Sequence, residues 1–382
     1  MRAETEVADI LHGLGERIES IGLNVHQLRT LSALRRCRTV ELGGHVDVCM
    51  ECGTLRVSYN SCRNRCCPKC QGHKREEWIE ARNSELLPVP YFHLVFTLPE
   101  ELNTVCLNHP KEAYGLLFKS VWETLRLFGS KKHVTCGMIA VLHTWGQNLS
   151  LHPHLHCIVP GGGVDKKGIW KSIRSDGKYL FPVKALSKVF RAKYVSLLRK
   201  SSILSSEISN ASFKGRLESL FSKSWVVYAK RPFAHPSHVV EYLGRYTHKI
   251  AISNNRLVSY KDGQVRFTYK DYRQGACKKE MELTDTEFIR RFALHIPPSR
   301  FIRIRHYGIL SSTSKKVTIP SIRQQFGTRE ISFIDLRKLK SFNIGLCPCC
   351  GSFSMVTVQT LPSRGPPRVA IPVEPERQNA TA

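Results

Sequence analysis

The chain has 382 residues, with 58 lysines and arginines against 31 aspartates and glutamates, and its formal net charge is +27. This length allows two or three domains with a proper core. So large a basic excess indicates a polyanionic partner, for which nucleic acid is the first candidate. The sequence shows no long apolar run, signal peptide or basic amphipathic helix, which argues against a membrane partner and for a soluble intracellular protein.

Seven of the fourteen cysteines lie between residues 37 and 70, and their spacing is typical of metal ligands. Two C-x-x-C pairs, Cys49/Cys52 and Cys67/Cys70, are separated by fourteen residues, which predicts a zinc ribbon. Four further side chains of the ligand type are enough for a second tetrahedral site: Cys37, His45, Cys62 and Cys66. We therefore expect one or two structural zinc ions, since thiolate ligands fit a reducing compartment better than disulfides do.

Basic residues surround these cysteines. Arg63, Arg65 and Lys69 lie within the cysteine-rich segment and are expected to contact DNA phosphates. Adjacent Cys66 and Cys67 compete for one ion, so His73 is an alternative ligand.

Periodicity and chain breakers predict the elements that follow. Helices are expected over residues 76–87, 110–128, 184–200 and 237–249, and strands over residues 91–99, 134–145, 149–159, 256–260 and 264–269. Asp262 and Gly263 predict a hairpin turn between the last two strands. The expected fold class is α+β, with helices packed on one face of an antiparallel sheet.

The strand predicted over residues 149–159 has two chemically different faces. Alternation puts apolar side chains on one face and His152, His154 and His156 on the other. Imidazoles two residues apart on a strand are separated by roughly 6.5–7 Å, so both can bend toward one cation. The plain alternative is a histidine-rich strand that is merely solvated. The glycines at 161–163 end the strand and leave this face near a backbone that a substrate can approach.

The helix predicted over residues 237–249 carries Tyr242 and Tyr246, one turn apart. Core packing is the ordinary explanation of such a pair, but Gly244, Arg245 and Lys249 argue against deep burial. A phenol has a pKa of about 10 and is a poor nucleophile unless its electrophile is activated. A divalent cation on a phosphodiester supplies that activation, so the two constellations predict metal-assisted cleavage through a phosphotyrosine.

Long segments around both constellations carry a family resemblance. They are residues 142–147 (LHTWGQ), 154–156 (HLH), 160–163 (PGGG) and 242–254 (YLGRYTHKIAISN), with further matches at 61–70, 95–99 and 304–308. From about Cys37 to Gly351 the chain resembles the two-tyrosine rolling-circle insertion-sequence transposases of the IS ninety-one type, which belong to the HUH endonuclease superfamily.

The resemblance implies a bacterial, cytoplasmic and nucleoid-associated transposase that binds transposon ends and nicks single-stranded DNA. Tyr242 and Tyr246 would be its nucleophiles, forming a 5′-phosphotyrosine before strand transfer, and Arg245 and Lys249 would contact DNA. A homodimer is one candidate oligomeric state. The implied fold is an HUH antiparallel-sheet sandwich preceded by a small zinc-binding domain.

The resemblance also implies metal ligands. His154 and His156 would hold Mg²⁺ or Mn²⁺ on the scissile phosphate. In related replication proteins a carboxylate stands seven residues before the first motif histidine; Gln147 stands there in this chain, and His152 is the alternative third ligand. In this family a histidine stands where Cys66 stands here, which favours two zinc sites with Cys66 in that role.

Five segments follow from these assignments. They are an N-terminal helical segment (1–36), the zinc-binding domain (37–75), the HUH tyrosine transposase domain (88–311), a C-terminal region with a cysteine knuckle (312–360) and a disordered tail (361–382). The knuckle, Cys347, Cys349 and Cys350, is half of a zinc site and would need Cys277 or a partner chain to complete it.

Two other functional classes compete with a transposase. A plasmid replication initiator or conjugative relaxase would use the same metal and tyrosine chemistry, but the zinc segment and the absence of a helicase motif favour a transposase. A non-catalytic zinc-finger protein would explain the charge and the cysteines and would leave the histidine face and the tyrosine pair unexplained.

Overall fold

The computed structural model describes residues 4–173, 180–201, 218–230, 251–327, 345–363 and 368–369, and positions 238, 240, 241 and 244. The α-helices with described bounds are α1 (Val7–Leu14), α2 (Val25–Arg35), α3 (Gln71–Asn83), α4 (Asn103–Asn108), α5 (Pro110–Ser130), α6 (Val183–Arg199), α7 (Asp285–Leu294) and α8 (Lys315–Gln325). Among these residues no helix combines the length and apolar character needed to span a bilayer.

The strands form three antiparallel sheets. They are β1 (Gly44–Cys49), β2 (Leu55–Tyr59), β3 (Tyr91–Thr97), β4 (Thr135–Trp145), β5 (Leu151–Pro160), β6 (Gly162–Val164), β7 (Trp170–Ser172), β8 (Val227–Lys230), β9 (Leu257–Lys261), β10 (Gln264–Asp271), β11 (Cys277–Thr284), β12 (Ile304–Gly308), β13 (Met355–Leu361) and β14 (Arg368–Val369). The described architecture therefore confirms the α+β class.

The largest sheet has the histidine strand near its centre. Its strand order is β7-β6-β4-β5-β3-β8, and β12 also pairs with β4. In the β4–β5 hairpin His143 lies opposite His154, and Val141 lies opposite His156. Leu149 belongs to the turn between the two strands, with a φ of +63°, so β5 begins two residues later than predicted.

One face of this sheet packs against α5 and α6. Leu155, Cys157 and Val159 of β5 are fully buried on this face, as the alternation predicts. Phe118 of α5 and Phe190 of α6 belong to the same core. The apolar side chains thus hold β5 in place, and the histidines face the other way.

The opposite face is also covered, which differs from the predicted one-sided packing. Ile139, Val141 and Ile158 of this face are buried with Ile322 of α8, and Ile79 of α3 packs against them. Apolar side chains at these strand positions would lose hydrophobic stabilisation if water covered them. The histidines continue the same face beyond this apolar patch.

A second core joins the N-terminal helices to a smaller sheet with the order β11-β10-β9. Ile10 and Leu11 of α1 are buried with Phe288 and Phe292 of α7, in a cluster that also contains Cys67. The N-terminal helices, the first cysteines and residues between 251 and 296 therefore share one core.

The third sheet joins the two ends of the described chain. Its order is β14-β13-β1-β2, so β1 lies between a C-terminal strand and its own hairpin partner. Asp47 of β1 is buried and accepts hydrogen bonds from Arg56 of β2 and Thr357 of β13. The C-terminal strand is thus built into the cysteine-rich segment.

Candidate metal centres

Three imidazoles converge on the β4–β5 hairpin. The ligand nitrogens of His143, His154 and His156 all lie within 4.8 Å of one another, and the Nε2 atoms of His154 and His156 are 3.2 Å apart. Two nitrogens at right angles around one ion, each about 2.1 Å from it, are about 3.0 Å apart. The observed spacing therefore fits nitrogens that share a cation.

Hydrogen bonds orient two of these rings. Nδ1 of His154 donates to the carbonyl oxygen of His152 at 2.6 Å, so Nε2 of the neutral ring presents a lone pair. Nδ1 of His156 lies 2.9 Å from Nε2 of His93, a buried residue of β3. In the tautomer in which His156 donates, its Nε2 also presents a lone pair. Such outer hydrogen bonds commonly fix the orientation of histidine ligands.

Burial favours the neutral form of the paired histidines. It lowers the pKa of His154 to about 4 and the pKa of His156 well below its ordinary value. His143 is 2% exposed, and its ring stacks on Trp145 with centroids 4.4 Å apart. Neutral imidazole is the form that binds a metal ion, so near neutral pH no proton has to be displaced from His154 or His156.

The third histidine of this group differs from the predicted third ligand. Gln147 lies in the turn after β4, where its carbonyl oxygen accepts a hydrogen bond from Arg256. His152 is exposed, and its carbonyl oxygen orients His154. The sequence reasoning missed His143. The observed turn is two residues longer than predicted and the register shifts between His143 and Trp145, whereas counting back from the predicted turn would place His143 opposite Leu151, on the apolar face.

The donor set also bears on the choice of cation. Imidazole nitrogens suit Fe, Ni, Cu and Zn ions best, whereas Mg²⁺ and, less strictly, Mn²⁺ prefer oxygen ligands. Of the two predicted ions, Mn²⁺ therefore fits three histidines better than Mg²⁺ does.

The predicted nucleophiles lie outside the described residues. These are Tyr242 and Tyr246, and the predicted DNA contacts Arg245 and Lys249 lie outside them as well. Their roles stay predictions.

Two helical positions near the predicted nucleophiles, Val240 and Gly244, are described. Val240 is 3% exposed and belongs to the hydrophobic cluster that contains Val141 and Ile158 on the histidine-bearing face. Gly244 lies against α3, since a Cβ atom built on it would be 2.4 Å from Cδ1 of Ile79. Val240 therefore lies on the same face of the sheet as the three histidines.

Four cysteines from the N-terminal region form a compact group. The Sγ atoms of Cys37, Cys62, Cys67 and Cys70 all lie within 4.8 Å of one another. Sγ of Cys37 is 3.5 Å from Sγ of Cys67, and the Sγ atoms of Cys62 and Cys70 are 3.7 Å apart. Sulfurs around a tetrahedral zinc ion, each about 2.3 Å from it, are about 3.8 Å apart. The group fits one zinc ion.

The cysteines divide differently from the predicted zinc ribbon. Cys49 and Cys52 do not lie with Cys67 and Cys70 but with two cysteines of the C-terminal region, Cys347 and Cys350. The pairing of β13 with β1 brings those two cysteines to the tip of the β1–β2 hairpin.

Two predicted zinc ligands lie outside both groups. Nε2 of His45 is 3.5 Å from the carboxylate of Asp47. Cys66 is 4% exposed in the second core, where burial raises the pKa of its thiol to about 11. Cysteine binds zinc as the thiolate, so a protonated Cys66 packs as a small apolar side chain.

Two of the predicted DNA contacts have partners within the protein. The guanidinium group of Arg65 donates to backbone carbonyl oxygens of residues 298 and 301. The ammonium group of Lys69 lies 2.5 Å from the carboxylate of Glu6, and both side chains are largely buried. These contacts fasten the cysteine-rich loop to the rest of the protein. Arg63 is exposed, and its role as a DNA contact stays a prediction.

Two family models match the chain. The model described as "Putative transposase" matches residues 137–317, and the model described as "Transposase zinc-binding domain" matches residues 11–98. The first match contains the three histidines of the β4–β5 hairpin. The second contains all four cysteines of the Cys37 group.

Two curated proteins are similar over most of their length. "Putative transposase y4qJ" of Sinorhizobium fredii is 41% identical over 392 aligned positions, which cover 96% of this chain and 98% of that protein. "Transposase for insertion sequence element IS801" of Pseudomonas savastanoi pv. phaseolicola is 30% identical over 311 positions, which cover 77% of this chain and 73% of that protein. No solved structure matches the chain. The chain belongs to the IS91 family of insertion-sequence transposases, which carry a zinc-binding domain at the N-terminus.

Proposed function

We propose that this transposase cuts single-stranded DNA at the ends of its element by metal-assisted attack of a tyrosine, forming a 5′-phosphotyrosine. The observation that carries the proposal is the convergence of His143, His154 and His156 within 4.8 Å of one another. Val240, which precedes Tyr242 by two residues in the sequence, packs in the cluster with Val141 on the same face of the sheet. Both observations support a shared site.

The reaction exchanges one phosphodiester bond for another. The oxygen of Tyr242 or Tyr246 attacks phosphorus, the bond to the 3′ oxygen breaks, the phenol loses its proton to solvent and the 3′ oxygen gains one. His143, His154 and His156 would hold a divalent cation, which would polarise the phosphate and neutralise the charge that develops on it. The new bond conserves the energy of the old one, so the 3′ hydroxyl of another strand can attack it and release the phenol.

In this scheme the described residues either bind the cation or orient a residue that binds it. His154 and His156 offer neutral imidazoles, and His143 offers a third imidazole, at fixed positions on two paired strands. Nε2 of His93 accepts a hydrogen bond from Nδ1 of His156 in the tautomer that leaves the Nε2 lone pair of His156 free to bind the cation. We assign His93 a positioning role, because its ring stacks on His156 and lies within hydrogen-bond distance of that ligand.

Two nucleophiles suit a reaction with two strand transfers. Tyr242 and Tyr246 are four residues apart in the sequence, and on a helix such residues share a face. One tyrosine could hold the cleaved strand while the other attacks a second phosphodiester. A single tyrosine would have to release the first strand before it cut again.

DNA binding in this proposal rests on distributed charge. The formal net charge is +27, which attracts the phosphate backbone at long range. Arg63 is exposed in the zinc-binding domain, and we propose that it contacts transposon-end DNA together with Arg245 and Lys249.

The test is covalent capture of DNA by the purified protein. A labelled single-stranded oligonucleotide that carries an element end should form a protein adduct with Mn²⁺, and no adduct in EDTA or with His154→Ala. Mobility-shift affinity should stay within about threefold of the wild type, because affinity is the sum of many basic contacts. An undiminished adduct yield in EDTA, or with His154→Ala, would contradict the proposal.

A further inference from the structure

Four thiols from opposite ends of the chain meet at the edge of the third sheet. Cys49 and Cys52 lie at the tip of the β1–β2 hairpin, and Cys347 and Cys350 lie in the segment that precedes β13. Cys52 and Cys347 are 295 residues apart in the sequence, yet their Sγ atoms are 3.6 Å apart. The Sγ atoms of Cys49 and Cys350 are also 3.6 Å apart.

The two turns that carry these thiols have the same backbone design. Gly53 follows Cys52 with a φ of +70°, and Gly351 follows Cys350 with a φ of +73°. The amide of Gly53 donates to the carbonyl oxygen of Cys49 at 2.9 Å, and the amide of Gly351 donates to that of Cys347 at 3.1 Å. A left-handed backbone favours glycine at both places.

A second backbone hydrogen bond repeats in the two turns, and in each turn the first sulfur also accepts a backbone amide. The amide of Cys49 donates to the carbonyl oxygen of Thr54, and the amide of Cys347 donates to that of Ser352. Sγ of Cys49 accepts the amide of Cys52 at 3.5 Å, and Sγ of Cys347 accepts the amide of Cys349 at 3.4 Å. Each turn is therefore a knuckle that aims two sulfurs at a common point.

The separations select a metal over a disulfide. A disulfide brings two sulfurs to about 2.05 Å, whereas these pairs are 3.6 Å apart and all four atoms lie within 4.8 Å. About 3.8 Å is expected between sulfurs on one tetrahedral zinc ion. A backbone hydrogen bond also holds the two turns together without any contribution from the sulfurs: the amide of Met50 donates to the carbonyl oxygen of Ser354 at 2.9 Å.

We propose that Cys49, Cys52, Cys347 and Cys350 bind a second structural zinc ion, separate from the Cys37 group, which fastens the C-terminal segment to the N-terminal zinc-binding domain. The matched domain model ends at residue 98 and so contains only two of the four ligands. The C-terminal knuckle needs neither Cys277 nor a partner chain. The zinc-binding domain is then complete only when residues 345–363 have docked on β1.

The accessible thiols allow a test on the unaltered full-length protein. Cys52 and Cys350 are exposed, as are Cys277 and Cys349, which lie outside both cysteine groups. Zinc-bound sulfur reacts slowly with a maleimide, so Cys52 and Cys350 should stay unlabelled while Cys277 and Cys349 are labelled. After a chelator removes zinc, all four should react. Equal labelling of all four before chelation would overturn the proposal.

Elemental analysis of full-length variants gives an independent measure. Wild-type protein should contain two zinc equivalents, and the double variant Cys347→Ser/Cys350→Ser should contain one. Cys349→Ser is the matched control from the same turn and should keep two. A double variant that keeps both equivalents, or a control that loses one, would refute the ligand assignment.

Discussion

His143 offers a sharp residue-level test of the histidine centre. Its imidazole lies with those of His154 and His156, whereas Gln147 lies in the following turn. We expect His143→Ala to weaken Mn²⁺ binding by more than the roughly 10–100-fold that changes in outer-shell residues cost. Isothermal titration calorimetry with the full-length protein measures this affinity.

Gln147→Ala is the matched control for that experiment. Its Mn²⁺ affinity should stay close to the wild-type value, because the side chain is not part of our proposed ligand set. If Gln147→Ala lost affinity and His143→Ala kept it, the third ligand would be Gln147, as the sequence resemblance implies.

Substitution of His93 tests whether a residue that hydrogen-bonds to a metal ligand affects Mn²⁺ affinity. It is 2% exposed and bonds to Nδ1 of His156 at 2.9 Å. We expect His93→Ala to weaken Mn²⁺ binding by about 10–100-fold, and His93→Asn, which keeps a hydrogen-bond acceptor, to restore part of the loss. Equal affinity in the alanine variant and the wild type would remove the positioning role.

The sequence predicted two of the three clustered histidines but gave no sign of His93. Alternation along one strand identifies His154 and His156, because their spacing is local. The pairing of β3 with β5 brings His93 to the site. The sequence of one strand does not indicate which strand will pair with it.

At the scale of elements, the helical position Gly244 lies close against α3. A Cβ atom at Gly244 would lie 2.4 Å from Ile79, and overpacking of this kind costs about 1–3 kcal/mol. We expect Gly244→Ala to shift the backbone at this position, between the two predicted nucleophiles in the sequence, and to lower the yield of covalent DNA adduct, measured by gel with a labelled oligonucleotide.

Removal of the opposing side chain should reverse that loss. Ile79→Ala leaves room for the new methyl group, so Ile79→Ala/Gly244→Ala should recover adduct yield relative to Gly244→Ala alone. A double variant that is no better than Gly244→Ala would show that the two positions do not act through this contact.

Local periodicity predicted several elements well. The helix expected over residues 110–128 is α5 (Pro110–Ser130), and the strand expected over residues 134–145 is β4 (Thr135–Trp145). The additional strand β12 was not predicted, and it joins the sheet beside β4 through a long-range pairing. The apolar cover of the second sheet face comes partly from α8, another distant segment.

For the whole molecule, the partner of a cysteine knuckle could not be predicted from spacing. The fourteen residues between Cys52 and Cys67 fit a zinc ribbon, but the sheet places Cys52 beside Cys347. Spacing rules apply to ligands that are near in the chain. In the proposed second zinc site, two cysteines come from the N-terminal region and two from the C-terminal region. The pairing of β1 with β13 brings them together.

The most direct measurement of the central claim is peptide mapping of the covalent DNA adduct. Tyr242→Phe and Tyr246→Phe each remove one hydroxyl and keep the ring, so each single variant should still form some adduct, mapped by mass spectrometry to the remaining tyrosine. Transposition should fail in both single variants. The double variant should form no adduct, and an adduct in that variant, or one mapped to any other residue, would contradict the account.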